Sequence, residues 1–433
     1  MNLSTKVNVI TAVTVATIFL GGFTYQEWRD SRVKLVQSPR VDGCVFKTVM
    51  GEDVLRKVAE SETPQDQTPS VKRALEWLVK AQQADGGWGA GSHARQDVID
   101  PHSVPTDAAT TAMAGMALLR SGNMLTEGDQ HSQLHAALEY ILTKVESNTL
   151  TNTGKNGQTQ IQMKLGQNID VVLAAQFLSN VMDQTQGQSN DMQRRIRSAL
   201  ATCVQQIETN VEQDGSMRGA GWAGVLQSSF AINALESAQK QGVDVSSQIL
   251  KSARDHQKGN YDPKTGAVNT ERGAGVMLYS VTGSVRGVAT EAGEVKEAMR
   301  LAKKKKRIAQ NAAPDAQTLQ EIGYSQDEAI RYSTSYEVYE SAKEKSKNDD
   351  VMTGFGSNGG EEFLSYLQTG ESLIIGKDDS WQEWYRSMSD RLLSIQQNDG
   401  SWRGHHCITS PVFCTATCVL VLNIKNDFEK LSR

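Results

Sequence analysis

The stretch Gln83-Ala84-Asp85-Gly86-Gly87-Trp88-Gly89 follows an apolar stripe made by Val71, Ala74, Leu75, Leu78 and Val79. Those residues fall at i, i+3, i+4, i+7 and i+8, one face of an α-helix entered from Pro69-Ser70. The glycines end that helix, because they take the positive φ angles that close a helical C-terminus and turn the chain. The arrangement returns near the other end of the sequence. Trp384, Met388, Leu392 and Ile395 lead into Gln396-Gln397-Asn398-Asp399-Gly400-Ser401-Trp402, and Val412, Thr415, Ala416, Val419 and Leu420 follow at helical spacing. A third copy runs from Cys203 through Glu212-Gln213-Asp214-Gly215-Ser216-Met217 into Leu226, Phe230, Ala231, Ala234 and Leu235. The unit is a helical hairpin bent at an Asp-Gly turn that ends in an aromatic residue or Met.

Asp85, Asp214 and Asp399 lie 129 and 185 residues apart, both near multiples of roughly 43 to 46, the kind of period expected of stacked helical hairpins. Eroded copies are expected around Thr153-Gly154-Lys155-Asn156-Gly157 and Lys264-Thr265-Gly266-Ala267. The fold class is therefore all-α, with the folded body over residues 71–427. A Lys- and Glu-rich stretch at about 287–350 breaks the pattern and reads as a charged insertion, helical or mobile.

Upstream, Val7 to Phe23 is an uncharged, largely apolar run, long enough to reach across a bilayer and the only such run in the chain. Tyr25 and Trp28 suit a membrane interface, and no small-x-small cleavage site follows the run. Residues 1–28 are expected to form a single-pass N-terminal transmembrane anchor, with a cleaved signal peptide as the rival. Residues 29–70, with Pro39, Pro64 and Pro69, form a polar linker. The body is expected outside the cytoplasm. A formal charge of −5 supplies no basic surface for nucleic acid, and the one local run, Lys303 to Arg307, reads as a solvated helix face. Five cysteines without a CxxC pair indicate neither a disulfide framework nor a zinc ribbon.

The turn motif resembles that of the prenyltransferase and squalene-oxidase repeat proteins, Gln-x-x-Asp-Gly-x-Trp. Residues 83–89 and 397–402 carry it, and residues 213–217 carry it with Met217 in the aromatic slot. The resemblance implies an α/α toroid, an inner ring of helices inside an outer ring, with Asp85, Gly86, Trp88, Asp214, Gly215, Asp399, Gly400 and Trp402 as structural turn residues. It does not carry over a reaction. The Asp-x-Asp-Asp acid of the cyclases is missing, the nearest clusters being Asp97-Val98-Ile99-Asp100 and Asp378-Asp379, and aromatic residues make only 6% of the chain. The Asp-x-Cys zinc pair of protein prenyltransferases and a Cys-Gly-Glu-Gln thioester are missing too.

Three features remain as candidate chemistry. His405-His406-Cys407 offers two imidazoles and a thiol, good zinc ligands in type, although adjacent loop residues seldom converge on one ion. No cofactor is otherwise expected. The glycine-rich loop Thr353 to Gly360 leads into Glu361-Glu362, with Asn358 and Glu361 spaced as a capping box. Asp107, after Pro105, is placed to cap a helix. The candidate ligand-binding set is His405, His406, Glu361, Glu362 and Asp107. The expected function is a membrane-anchored toroid that binds an extracytoplasmic peptide, protein or lipid. The alternative is an isoprenoid-handling enzyme, cyclase-like or prenyltransferase-like, with a non-standard metal or acid site.

Overall fold

The computed structural model describes residues 68–151, 157–185, 189–356 and 358–432. Of these, 65% are helical and none forms a strand, leaving only isolated β-bridges such as Trp88 with Asp107. The helices are α1 (Thr68–Ala81), α2 (Ala108–Arg120), α3 (His131–Glu146), α4 (Gln160–Leu165), α5 (Ile169–Met182), α6 (Asn190–Thr209), α7 (Gly224–Lys240) and α8 (Ser247–Lys258). They continue with α9 (Met277–Lys304), α10 (Ala316–Glu321), α11 (Gln326–Ser346), α12 (Asp349–Met352), α13 (Gly360–Ile375), α14 (Trp381–Ser394), α15 (Pro411–Leu422) and α16 (Phe428–Ser432).

Six of these helices close a ring: α2 packs on α5, α5 on α7, α7 on α9, α9 on α13, α13 on α15, and α15 back on α2. Outside them lie α1, α3, α6, α8, α11 and α14, each packed on one or two inner helices. The two sets differ in sequence as their positions require. Helix α1 buries one stripe, Val71, Ala74, Leu75, Leu78 and Ala81, whereas α2 buries twelve of its thirteen residues. Small side chains allow this: a Cβ on Gly115 of α2 would stand 2.6 Å from the Phe177 ring of α5.

The Asp-Gly turns fasten one outer helix to the next. Gln82 Nε2 donates to Gln133 O in α3 (2.9 Å), and His256 Nδ1 of α8 lies 3.1 Å from Asp214 O. The last turn reaches the first helix, Gln396 Nε2 donating to Ser70 O (3.0 Å) and Arg73 to Gln396 Oε1 (2.7 Å). Trp88 and Trp402 are buried and equivalent. Each indole donates to the carbonyl ten residues upstream, Leu78 O and Leu392 O, at 2.8 Å, and each backbone N–H donates to a threonine, Thr111 or Thr415, at 2.9 Å.

The ring corrects the expected period. Two hairpins separate Asp85 from Asp214 and three separate Asp214 from Asp399, so a unit spans roughly 60 to 65 residues rather than 43 to 46. The long connections from outer to inner helices supply the difference. Residues 287–350, marked in the sequence as an insertion, hold the second half of inner helix α9, then α10, outer helix α11 and α12. Their charges are partly internal: Glu291 accepts from Arg331 and, at 2.6 Å, from Ser335. No described helix is long and apolar enough to cross a membrane, and the Val7–Phe23 segment lies outside the described residues.

Candidate functional site

Buried polar side chains meet across the middle of the ring. Arg120 of α2 donates to Glu371 Oε1 of α13 (2.7 Å), Asn233 of α7 to Glu371 Oε2 (3.3 Å), and Ser229 of α7 to Gln368 of α13 (3.0 Å). None of these helix pairs is adjacent in the ring, so the bonds cross its centre. Arg286 of α9 extends the network to Asn233 and to Glu236 (2.5 Å), and Arg254 adds a second cation on Glu236 at 2.8 Å. Burial opposes the charge on Glu236, but the two guanidiniums outweigh it and hold the carboxyl down to about 2.

The end of the ring where the inner helices begin is different. Three chain segments meet there: the glycine-rich loop 353–360, the loop 403–410 and the start of α9. His405 N donates to Asn358 O (2.7 Å) and Gly360 N to Ile408 O (3.1 Å), which zips the two loops together. Gln160 accepts from Thr409 N (2.8 Å), and Gln96 donates to Cys407 O (2.5 Å), tying loop 403–410 to two further connections.

Glu361 and Glu362 lie at the centre of this junction, both fully buried in the first turn of α13. The helix N-terminus favours their charge, yet among the described residues neither forms an ion pair with an arginine or lysine, and Lys164 acts on Glu361 only from a distance. Glu361 Oε2 accepts from Ile408 N (3.2 Å), while its Oε1 has no hydrogen-bond partner. Glu362 Oε1 accepts from Tyr279 Oη (2.6 Å) and Phe355 N (2.9 Å), while its Oε2 has none and stands 3.9 Å from His406 Nε2. Burial, reinforced by Glu362 beside it, pushes the Glu361 carboxyl up to about 8. The glycines of the loop are required here: a Cβ on Gly359 would meet Glu362 Oε2 at 2.3 Å and the His406 ring at 2.6 Å.

An arc of rings covers the pair. Trp222 meets Phe355 edge to face at 5.4 Å and Tyr279 at 6.3 Å, and Phe355 meets His406 at 5.2 Å. Trp222 is 37% and Phe355 57% exposed, alongside exposed Met163 and Met277, so the lip is apolar and open to solvent. Lys164 Nζ lies 5.0 Å from the Trp222 ring centroid.

The predicted site residues separate accordingly. Glu361, Glu362, His406 and Cys407 come together, whereas the His405 side chain is exposed. Asp107 caps α2, its carboxylate filled by Thr110 N, Thr110 Oγ1 and Ala90 N, and it pairs electrostatically with Asp170, whose carboxyl burial and Asp107 push up to about 7. It therefore stands apart from the glutamates. The expected capping box is replaced by Gly359 as the α13 N-cap, without a side-chain bond, because Glu361 turns inward to Ile408 N. Among the described residues no three His, Cys, Asp or Glu side chains are placed to hold a metal ion, which separates His405, His406 and Cys407 as a zinc set. Burial, with Glu361 nearby, pushes the Cys407 thiol up to about 12, away from the thiolate that zinc binds. Trp222, Tyr279 and Lys164 were not legible as site residues; the one signal was a tryptophan, Trp222, outside the repeated turn slot.

Residues 45–155 match the family model of the squalene-hopene cyclase C-terminal domain. This stretch, which includes the first hairpin, is thus similar to the terpenoid cyclase and prenyltransferase-like proteins. No curated protein matches the chain.

Proposed function

Taking residues 45–155 as a terpenoid-cyclase-like helical repeat, we propose that the protein is a binding toroid whose ligand sits at the aromatic mouth over Glu361 and Glu362, not in the lumen. The observation that carries this reading is the Arg120–Glu371–Asn233–Arg286–Glu236 network. It runs across the centre of the ring, where a polyprenyl chain held in the lumen would have to pass. Emptying that space means leaving buried charges unpaired, which is costly. The mouth, in contrast, combines exposed aromatic surface with buried, under-bonded carboxyl oxygens, the composition of a small-ligand site. Residues 7–23 are proposed as the membrane anchor that holds this mouth outside the cytoplasm, with a peptide, protein or lipid as the natural source of the ligand.

The test is direct. Squalene and prenyl diphosphates incubated with the protein should be recovered unchanged, while phenyl-bearing small molecules should alter the emission of Trp222, identified by its loss in Trp222→Phe. Cyclised or transferred products would overturn the proposal. The full-length chain should sediment with membranes; a mature N-terminus just beyond Phe23 would replace the anchor with a cleaved signal.

One observation favours an enzyme instead: Glu361 is a carboxyl pushed up to about 8 by burial and by Glu362, hence protonated at neutral pH and able to act as an acid. On that reading Glu361→Gln abolishes turnover of a prenyl substrate. On the binding reading there is no turnover to abolish.

A further inference from the structure

We infer that the mouth recognises an organic ammonium ion, with its N–H groups directed to Glu361 Oε1 and Glu362 Oε2 and its apolar body against Trp222 and Phe355. The inference rests on the mouth being the ligand site and adds the chemical class of the ligand.

Two adjacent carboxyl groups, both wholly buried, carry one oxygen each without a hydrogen-bond partner. A buried acceptor left unmade forfeits its hydration, so a partner that supplies donors to both oxygens is strongly favoured. The protein supplies only weak ones: the Cys407 thiol faces Glu361, and the nearest ring nitrogen, His406 Nε2, stays 3.9 Å from Glu362 Oε2, with neither His406 nitrogen bonded. Burial and Glu362 leave a proton on Glu361; a cation donates to Glu362 and displaces that proton, so both carboxyls meet it as carboxylates, which favours an ammonium over a neutral or anionic ligand. The geometry rejects a metal at this point, since no set of three ligating side chains converges among the described residues.

The rest of the ligand is read from the cover. Rings present negative faces, and a cation next to them is stabilised further as it loses water. Lys164 demonstrates the preference, resting its own ammonium over Trp222 at 5.0 Å. His406, its side chain 22% exposed and set edge to face against Phe355, is the group beside Glu362 that an entering ammonium would replace.

Calorimetric titration of the intact chain with 2-phenylethylammonium and with neutral 2-phenylethanol, at one pH and fixed salt, tests the inference. The amine should bind at least about tenfold more tightly, the difference expected when charge-assisted hydrogen bonds are gained. Glu361→Gln and Glu362→Gln should each remove most of that preference for the amine over the alcohol, with melting temperature recorded to show that the variants fold. Equal affinity for amine and alcohol, both altering Trp222 emission, overturns the cation and leaves the mouth as the binding site. No response from either overturns both. The amine-to-alcohol ratio in the unmodified chain stands even if a variant fails to fold, and unchanged preference in folded variants overturns the assignment to the glutamates. A third arm, acetyl-Phe-Lys-amide, assigns the source: tighter binding than the free amine identifies a peptide lysine, weaker binding a small amine.

Discussion

Arg120 and Glu371 meet at 2.7 Å across the centre of the ring although they are 251 residues apart and their helices do not adjoin. Arg120 also donates to Asp427 (2.8 Å) and to Leu420 O (3.0 Å). Arg120→Met therefore leaves a buried Glu371 with Asn233 alone. The expected loss is about 3 to 5 kcal/mol in denaturant unfolding, the range for breaking one side of a buried pair. Adding Glu371→Gln to Arg120→Met should restore part of it, and strict additivity of the two changes would show that the residues are not coupled.

Gly400 takes φ +95, and a Cβ there would lie 2.8 Å from Arg73 O, at the contact between the last turn and the first helix. Gly400→Ala should cost about 1 to 3 kcal/mol through the left-handed backbone alone, and more through the clash. Gly242, at φ +73 with open space around it, serves as the control: Gly242→Ala should show only the backbone share.

The acidity of Glu361 sets a pH dependence. Its carboxyl, pushed up to about 8 by burial and by Glu362, binds a proton in the folded state over a range where the unfolded chain has released it. Folded protein thus holds more protons, so this group's contribution is present at pH 4 and is lost as pH rises toward 8. Asp170, raised to about 7 by burial and by Asp107, acts in the same sense. Melting temperature should fall between pH 5 and pH 9, and Glu361→Gln should flatten that slope and exceed the unmodified chain at pH 9. A melting temperature that climbs over this interval would contradict the assignment.

Cys407 should resist alkylation. Burial and Glu361 push its thiol up to about 12, so at pH 7.5 the reactive thiolate is scarce. Iodoacetamide should label it only after denaturation, as it does any buried thiol. Rapid labelling of Cys407 in folded protein, located by peptide mapping, would show a thiolate and reopen metal binding.

The hairpins were legible because their signal is local: a stripe of apolar residues at helical spacing followed by glycine in a left-handed turn, as at Leu78 to Gly86. The period was not, because it was inferred from three well-kept turns, and the units between them keep the hairpin without the motif. In α11, Ala329, Ser333, Val338 and Ala342 are buried among charged residues, so packing, not composition, makes it an outer helix. At the site, Glu361, Glu362, His406 and Cys407 stood out by residue type. Trp222 and Tyr279 join them only through the packing of successive inner helices α7, α9 and α13, which brings residues such as Tyr279 and Glu362, 83 positions apart, into contact, and no local spacing encodes that.

The grip of Gln396 on Ser70 also changes how the body comes apart. An open array of helical hairpins has two end units with one neighbour each, and those can fray while the middle stays intact. Here the sixth hairpin is the neighbour of the first, so no unit is terminal and none needs a polar capping face. Detaching any one unit breaks two contacts at once, and the ring is expected to melt in a single cooperative step.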